Sequence, residues 1–121
     1  MSTPKTGPEL GAERKLIFEN VANGVPMETV MATFLRSEAE VLAECKFVGK
    51  KIMEYRIRRG IPALPYETLA DIRWHRKAML QTLGNLGPIY LSSPLLFTKI
   101  SVERVTSPGQ LRDAARATRM M

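Results

Sequence analysis

The feature that most restricts this chain is Ser37-Glu38-Ala39-Glu40, followed by apolar residues at Val41, Cys45, Val48, Ile52 and Tyr55 in alternating steps of four and three. A serine with a glutamate three residues on is a capping box: the Ser37 hydroxyl accepts from the Glu40 amide and the Glu40 carboxylate accepts from the Ser37 amide. The alternating steps keep these side chains on one helical face for about four turns, a heptad-like seam. Gly60-Ile61-Pro62 then stops the pattern. One long helix must fill the interval, and the rest of the chain has to fold around it.

Ahead of this helix, residues 1–8 are rich in proline and small polar residues and are expected to form a flexible tail. From Glu9, the residues Leu16, Ile17, Phe18 and Val21 form the apolar part of a first helix that Asn23-Gly24 ends. Pro26 suits the first turn of a second, whose Met27, Val30, Met31 and Phe34 recur at i, i+3, i+4 and i+7. Residues 9–44 therefore read as a helix-turn-helix. Pro62-Ala63-Leu64-Pro65 is a stiff connector. A fourth helix, from about Tyr66 to Leu83, carries Leu69, Ile72, Met79, Leu80 and Leu83 on one side. Residues 45–87 are thus expected to be a long antiparallel helical hairpin. Leu96, Thr98, Ile100 and Val102 alternate with Phe97, Lys99, Ser101 and Glu103, the period of a strand, and Ile89-Tyr90-Leu91 is a shorter partner. Residues 88–106 then form a short β-hairpin that needs support from helices or from other copies of the chain. Residues 107–121 are a basic tail. The expected fold class is mainly α.

The net charge of +6 over 121 residues favours a polyanionic partner, and its distribution says more than its total. Residues 1–44 carry four basic and seven acidic side chains, whereas 45–59 carry Lys46, Lys50, Lys51, Arg56, Arg58 and Arg59 against Glu54 alone. Lys46, Lys50, Glu54 and Arg58 recur every four residues and are expected on one outer face of the long helix. The N-terminal stretch holds no apolar run of signal-peptide length, and no later segment has the roughly 20 apolar residues of a membrane span, so a cytoplasmic protein is expected.

No serine or cysteine has a histidine at a family-typical spacing, and no glycine-rich phosphate loop is present. No enzyme, catalytic residue or cofactor is therefore expected. Cys45, the single cysteine, reads as a small core side chain, and His75, the single histidine, has no partner for a metal site. Trp74, beside Arg73 and Arg76, reads as partly buried between helices or subunits, with stacking on a base as the alternative. If the helix-turn-helix binds double-stranded DNA, Arg14, Lys15, Arg36, Ser37, Lys46 and Lys50 are the candidate contacts. Glu38, Glu40 and Glu44 oppose that reading, although acids in a first helical turn also favour the helix dipole.

The order of parts, with GVPMETVMATFLRSEAEV over residues 24–41 as the helix-turn-helix, Cys45 to Leu83 as a helical hairpin and Ile89 to Val105 as a β segment, resembles the small terminase subunits of tailed bacteriophages. The resemblance implies a viral genome-packaging protein that recognises DNA as a homo-oligomeric ring and presents it to the large terminase subunit, an ATPase and nuclease. It implies that Val48, Ile52, Tyr55, Leu69, Ile72, Met79 and Leu83 form the oligomer interface. Two other readings stay open: a dimeric helix-turn-helix transcriptional regulator, and a structural or adaptor protein that does not touch DNA.

Overall fold

The computed structural model describes residues 5–94, which are mainly helical. Helix α1 is Gly7–Ala22, α2 Met27–Phe34, α3 Glu38–Arg58, α4 Leu69–Trp74, α5 Arg76–Leu83 and α6 Pro88–Ser92. The capping box forms as expected, with the Glu40 amide donating to Ser37 Oγ at 3.1 Å and the Ser37 amide donating to Glu40 Oε1 at 2.8 Å.

The ends of α1, α2 and α3 share one device. After α1, the Gly24 amide donates to the Val21 carbonyl and the Val25 amide to Asn20; after α3, Gly60 donates to Ile57 and Ile61 to Arg56. This paired closure needs a left-handed residue, which Gly24 and Gly60 supply with φ of +86° and +74°. After α2 the left-handed residue is Leu35, at φ +55°, and the Arg36 amide reaches back to the Met31 carbonyl. A leucine in that conformation is strained, and this one is also 78% exposed.

Helices α1, α2 and α3 pack on one another, and a three-residue turn joins α2 to α3. The seam of α3 points inward: Val41, Cys45, Val48 and Ile52 join Ile17, Phe18, Val21 and Val30 in the core.

Two expectations change beyond Gly60. The reversal is made by an extended segment that runs back along α3, not by a helical hairpin. Its Leu64 amide lies 3.0 Å from Met53 Sδ, and its Tyr66 ring packs so closely on Gly49 that a Cβ there would sit 2.7 Å from Tyr66 Cδ2. The fourth helix starts only at Leu69, because Thr68 caps it by accepting from the Asp71 amide, and it breaks at His75 into α4 and α5. From Tyr66 beside residue 49, the chain advances to Thr82, whose hydroxyl accepts from Arg56 at 3.1 Å. Of the two short helices, α4 packs on α1 and α5 on α3, so no single long helix lies antiparallel to α3 among the described residues.

Ile89-Tyr90-Leu91 is helical rather than a strand. Pro88 pre-sets the first turn, and the Leu91 amide closes it onto the Gly87 carbonyl. Helix α6 packs on α1 more extensively than any other helix pair does, with Leu91 fully buried. Gly11 permits this approach: a Cβ there would lie 1.8 Å from the Pro88 carbonyl oxygen. The expected second strand, Leu96 to Glu103, and the basic tail lie outside the described residues.

Candidate nucleic-acid interface

Half of the DNA candidates are already committed to structural bonds. Arg14 stacks its guanidinium 4.0 Å from the Phe47 ring centroid, donates to the Glu44 carboxylate at 3.2 Å and donates to the Leu91 carbonyl at 2.8 Å. It fastens α1 to α3 and α6. Arg36 and Lys5 both donate to Glu13, which is almost fully buried. Burial pushes the Glu13 carboxyl up, but the hydrogen bonds and charges of Lys5 and Arg36 outweigh this and hold it below its ordinary range. Ser37 is occupied by the cap. Lys46 is exposed, and Lys15 and Lys50 are half-buried; none of the three has an ion pair among the described residues.

The residues assigned to an oligomer seam are mostly not at the surface. Val48, Ile52, Ile72, Met79 and Leu83 are at most 1% exposed inside this chain's own core, with Tyr55 and Leu69 packed against it. They cannot meet a second copy without opening the fold. The heptad-like spacing is real, but its partners are α1, α2, α5 and the returning segment.

The cationic stripe also breaks. Glu54 and its neighbour Lys51 are both fully buried, 3.7 Å apart. Lys51 Nζ donates to Ser93 Oγ at 3.1 Å and to the Pro94 carbonyl at 2.8 Å, and lies 4.3 Å from the Tyr90 ring centroid; the Tyr90 hydroxyl donates to Glu54 Oε1 at 2.9 Å. Burial lowers the Lys51 pKa and, together with the Glu54 hydrogen bond, raises that of Tyr90. Helix α6 brings Tyr90 over α3 at this point, which neither charge spacing nor strand periodicity foretold.

Beyond this buried pair, the C-terminal end of α3 opens into a cleft of about 320 Å³ lined by Tyr55, Arg58, Arg59, Asn85 and Tyr90 among others. A second hollow of about 290 Å³ adds Arg56 and Gln81 and shares Tyr55, Arg59 and Asn85 with the first. Among the described residues, no carboxylate lines either one. Arg59 is held 4.9 Å over the Tyr55 ring centroid, and Arg56 is fixed by donating to the Pro62 carbonyl at 2.8 Å and to Thr82. Arg58 and Arg59 are exposed, with no carboxylate partner among the described residues. A helix C-terminus carries about half a negative charge, which three guanidiniums exceed several-fold. The cleft is therefore suited to anions, and to phosphate in particular, since the guanidinium fork matches its oxygens. The signal lay in Arg56-Ile57-Arg58-Arg59 directly before the Gly60 stop, where helix-terminal cations are easily taken as dipole partners only.

Trp74 is 85% exposed and not buried between the helices of this chain, with Arg73, Arg76 and Lys77 exposed beside it. Cys45 is buried, and burial pushes its thiol pKa up to about 12, so it is an unreactive core side chain. No cluster of histidine, cysteine and acidic residues suited to a metal occurs among the described residues, and no helix there is long and apolar enough to cross a membrane. Comparison with protein-family models, curated proteins and solved structures finds no match.

Proposed function

We propose that this chain is a non-catalytic nucleic-acid-binding protein that holds backbone phosphates at the C-terminal end of α3. The observation that carries this reading is the cleft formed by Arg58 and Arg59 with Tyr55, Asn85 and Tyr90, which no carboxylate lines among the described residues. Phosphate contacts of this kind position a protein on DNA without reading sequence. The opposite end of α3 is unsuited to that task, because Glu38 and Glu40 are exposed there beside the apolar Leu35 and Leu42. That end fits a protein contact better.

Within this class, a small terminase subunit, a homo-oligomeric ring that delivers viral DNA to a large terminase subunit, is a narrower reading that keeps only the α2–turn–α3 helix pair of its expected parts. The ring contacts of this reading have to use surface residues other than the buried seam. Among the described residues, Leu16, Leu35, Leu42, Ile61, Trp74 and Ile89 are the large apolar side chains exposed for this.

The test is anisotropy of a labelled DNA duplex at several salt concentrations. Affinity is expected to fall linearly on a log–log plot, and Arg58→Ala/Arg59→Ala to reduce the slope by about 2, since each lost phosphate contact removes about 0.9. Salt-independent binding, or none at low salt, would refute the proposal.

A further inference from the structure

Trp74 ends α4, beside the break at His75, and leaves 85% of its surface in water. An indole is the largest apolar side chain available, and leaving it exposed forgoes the stabilisation its burial would bring. Packing does not require it, because Ile72, the fully buried residue of α4, makes that helix's contact with the core. Its surroundings are cationic: Arg73, Arg76 and Lys77 are all exposed. The Arg73 guanidinium is anchored by donating to the Val21 carbonyl at 3.1 Å. Arg76 and Lys77 have no carboxylate partner among the described residues. Asp71, three residues before Trp74, is the nearest acid in sequence and belongs to the first turn of α4.

A flat aromatic face flanked by unpaired cations matches unpaired nucleotides, which offer a base face and a phosphate together. In an intact duplex the base faces are stacked on one another and closed to an indole. We infer that Trp74 is a stacking platform for an unpaired base, with Arg76 and Lys77 holding the adjoining phosphates, and that it gives the protein a second, single-strand-selective contact. This inference rests on the nucleic-acid reading, but uses residues outside the arginine cleft.

Trp74 is the chain's only tryptophan, so its emission reports this site alone. The experiment titrates the full chain with a labelled dT oligomer and, separately, with a closed hairpin duplex, reading label anisotropy and tryptophan emission together. The dT oligomer is expected to quench Trp74 and the closed duplex to leave it unchanged while still binding. Trp74→Ala should weaken dT binding by roughly 5- to 150-fold, the range one base–aromatic stack supplies, and leave duplex binding unaltered, while Trp74→Phe retains most of the dT affinity. Binding of dT without quenching, or equal affinity in Trp74→Ala, would overturn the inference and leave the cleft reading intact. Duplex binding without dT binding does the same. Failure to bind either DNA overturns both. An emission shift on dilution without DNA would show that a second copy covers Trp74, and also overturns the inference.

Discussion

Replacing Gly11 by alanine tests the packing of α6 on α1, the feature that departs most from strand periodicity. In the middle of a helix such a change normally stabilises by about 0.5–1 kcal/mol, because glycine loses more backbone freedom on folding. Here the new Cβ would fall 1.8 Å from the Pro88 carbonyl oxygen and 2.5 Å from its carbon. Real Cβ atoms essentially never come within 3.0 Å, so the two backbones must separate by at least about 1.2 Å. That movement pulls Leu91 from the core and disturbs the Arg14 bond to the Leu91 carbonyl. Overpacking against backbone costs about 1–3 kcal/mol or more, and its upper end exceeds the propensity gain by about 2 kcal/mol. For a domain of this size the melting temperature should fall by roughly 10 °C. Gly84→Ala is the control, because its Cβ would meet nothing closer than 3.4 Å in an ordinary helical conformation. Thermal melts by circular dichroism are expected to show Gly11→Ala lowered and Gly84→Ala unchanged or raised. A Gly11→Ala protein as stable as the parent would refute the packing of residues 88–92 as a helix against α1.

Three further outcomes are expected. Lys51→Met removes the buried cation 3.7 Å from Glu54 and should cost about 3 kcal/mol in denaturant unfolding, while adding Glu54→Gln recovers part of the loss; equal losses from both proteins would show that the pair is not coupled. Leu35→Asn should stabilise by about 1 kcal/mol, since asparagine tolerates the left-handed region that strains leucine; a loss would mean that the Leu35 side chain makes a compensating contact. The depressed Glu13 carboxyl contributes stability that is present above its ordinary pKa of 4.5 and lost as pH falls through its lower folded value. Glu13→Gln should therefore flatten the acid limb of the stability curve below pH 4.5, and an unchanged limb would assign acid sensitivity to other groups.

Local signals carried the first half of the fold. The capping box, the Asn23-Gly24 and Gly60 stops, and the inward seam of α3 depend on neighbouring residues, and the structure has each where the sequence puts it. What failed depended on contacts distant in sequence. The two prolines of residues 62–65 suggested a stiff connector between two helices, but Gly49 leaves a groove for Tyr66, and the connector runs back along α3. A heptad-like seam looked available for a second copy, yet a chain of this size uses it for its own core. Charge spacing could not foretell that Tyr90 comes over α3 to shield Lys51 and Glu54. The site moved for the same reason. Arg14, Arg36 and Ser37 were candidates by position in a motif, and the fold commits them to Glu44, Glu13 and Glu40, whereas Arg58 and Arg59 face a cleft that no carboxylate lines among the described residues.

The most direct measurement compares the two ends of α3 in duplex DNA affinity at one fixed salt concentration, with melting curves to confirm folding. Arg58→Ala/Arg59→Ala should weaken binding by about 100-fold or more, taking at least ~1.5 kcal/mol per charge-assisted contact, while Glu38→Gln/Glu40→Gln changes it little. Undiminished binding without Arg58 and Arg59, or a large gain on neutralising Glu38 and Glu40, would place the DNA at the other end of the helix and contradict the central claim.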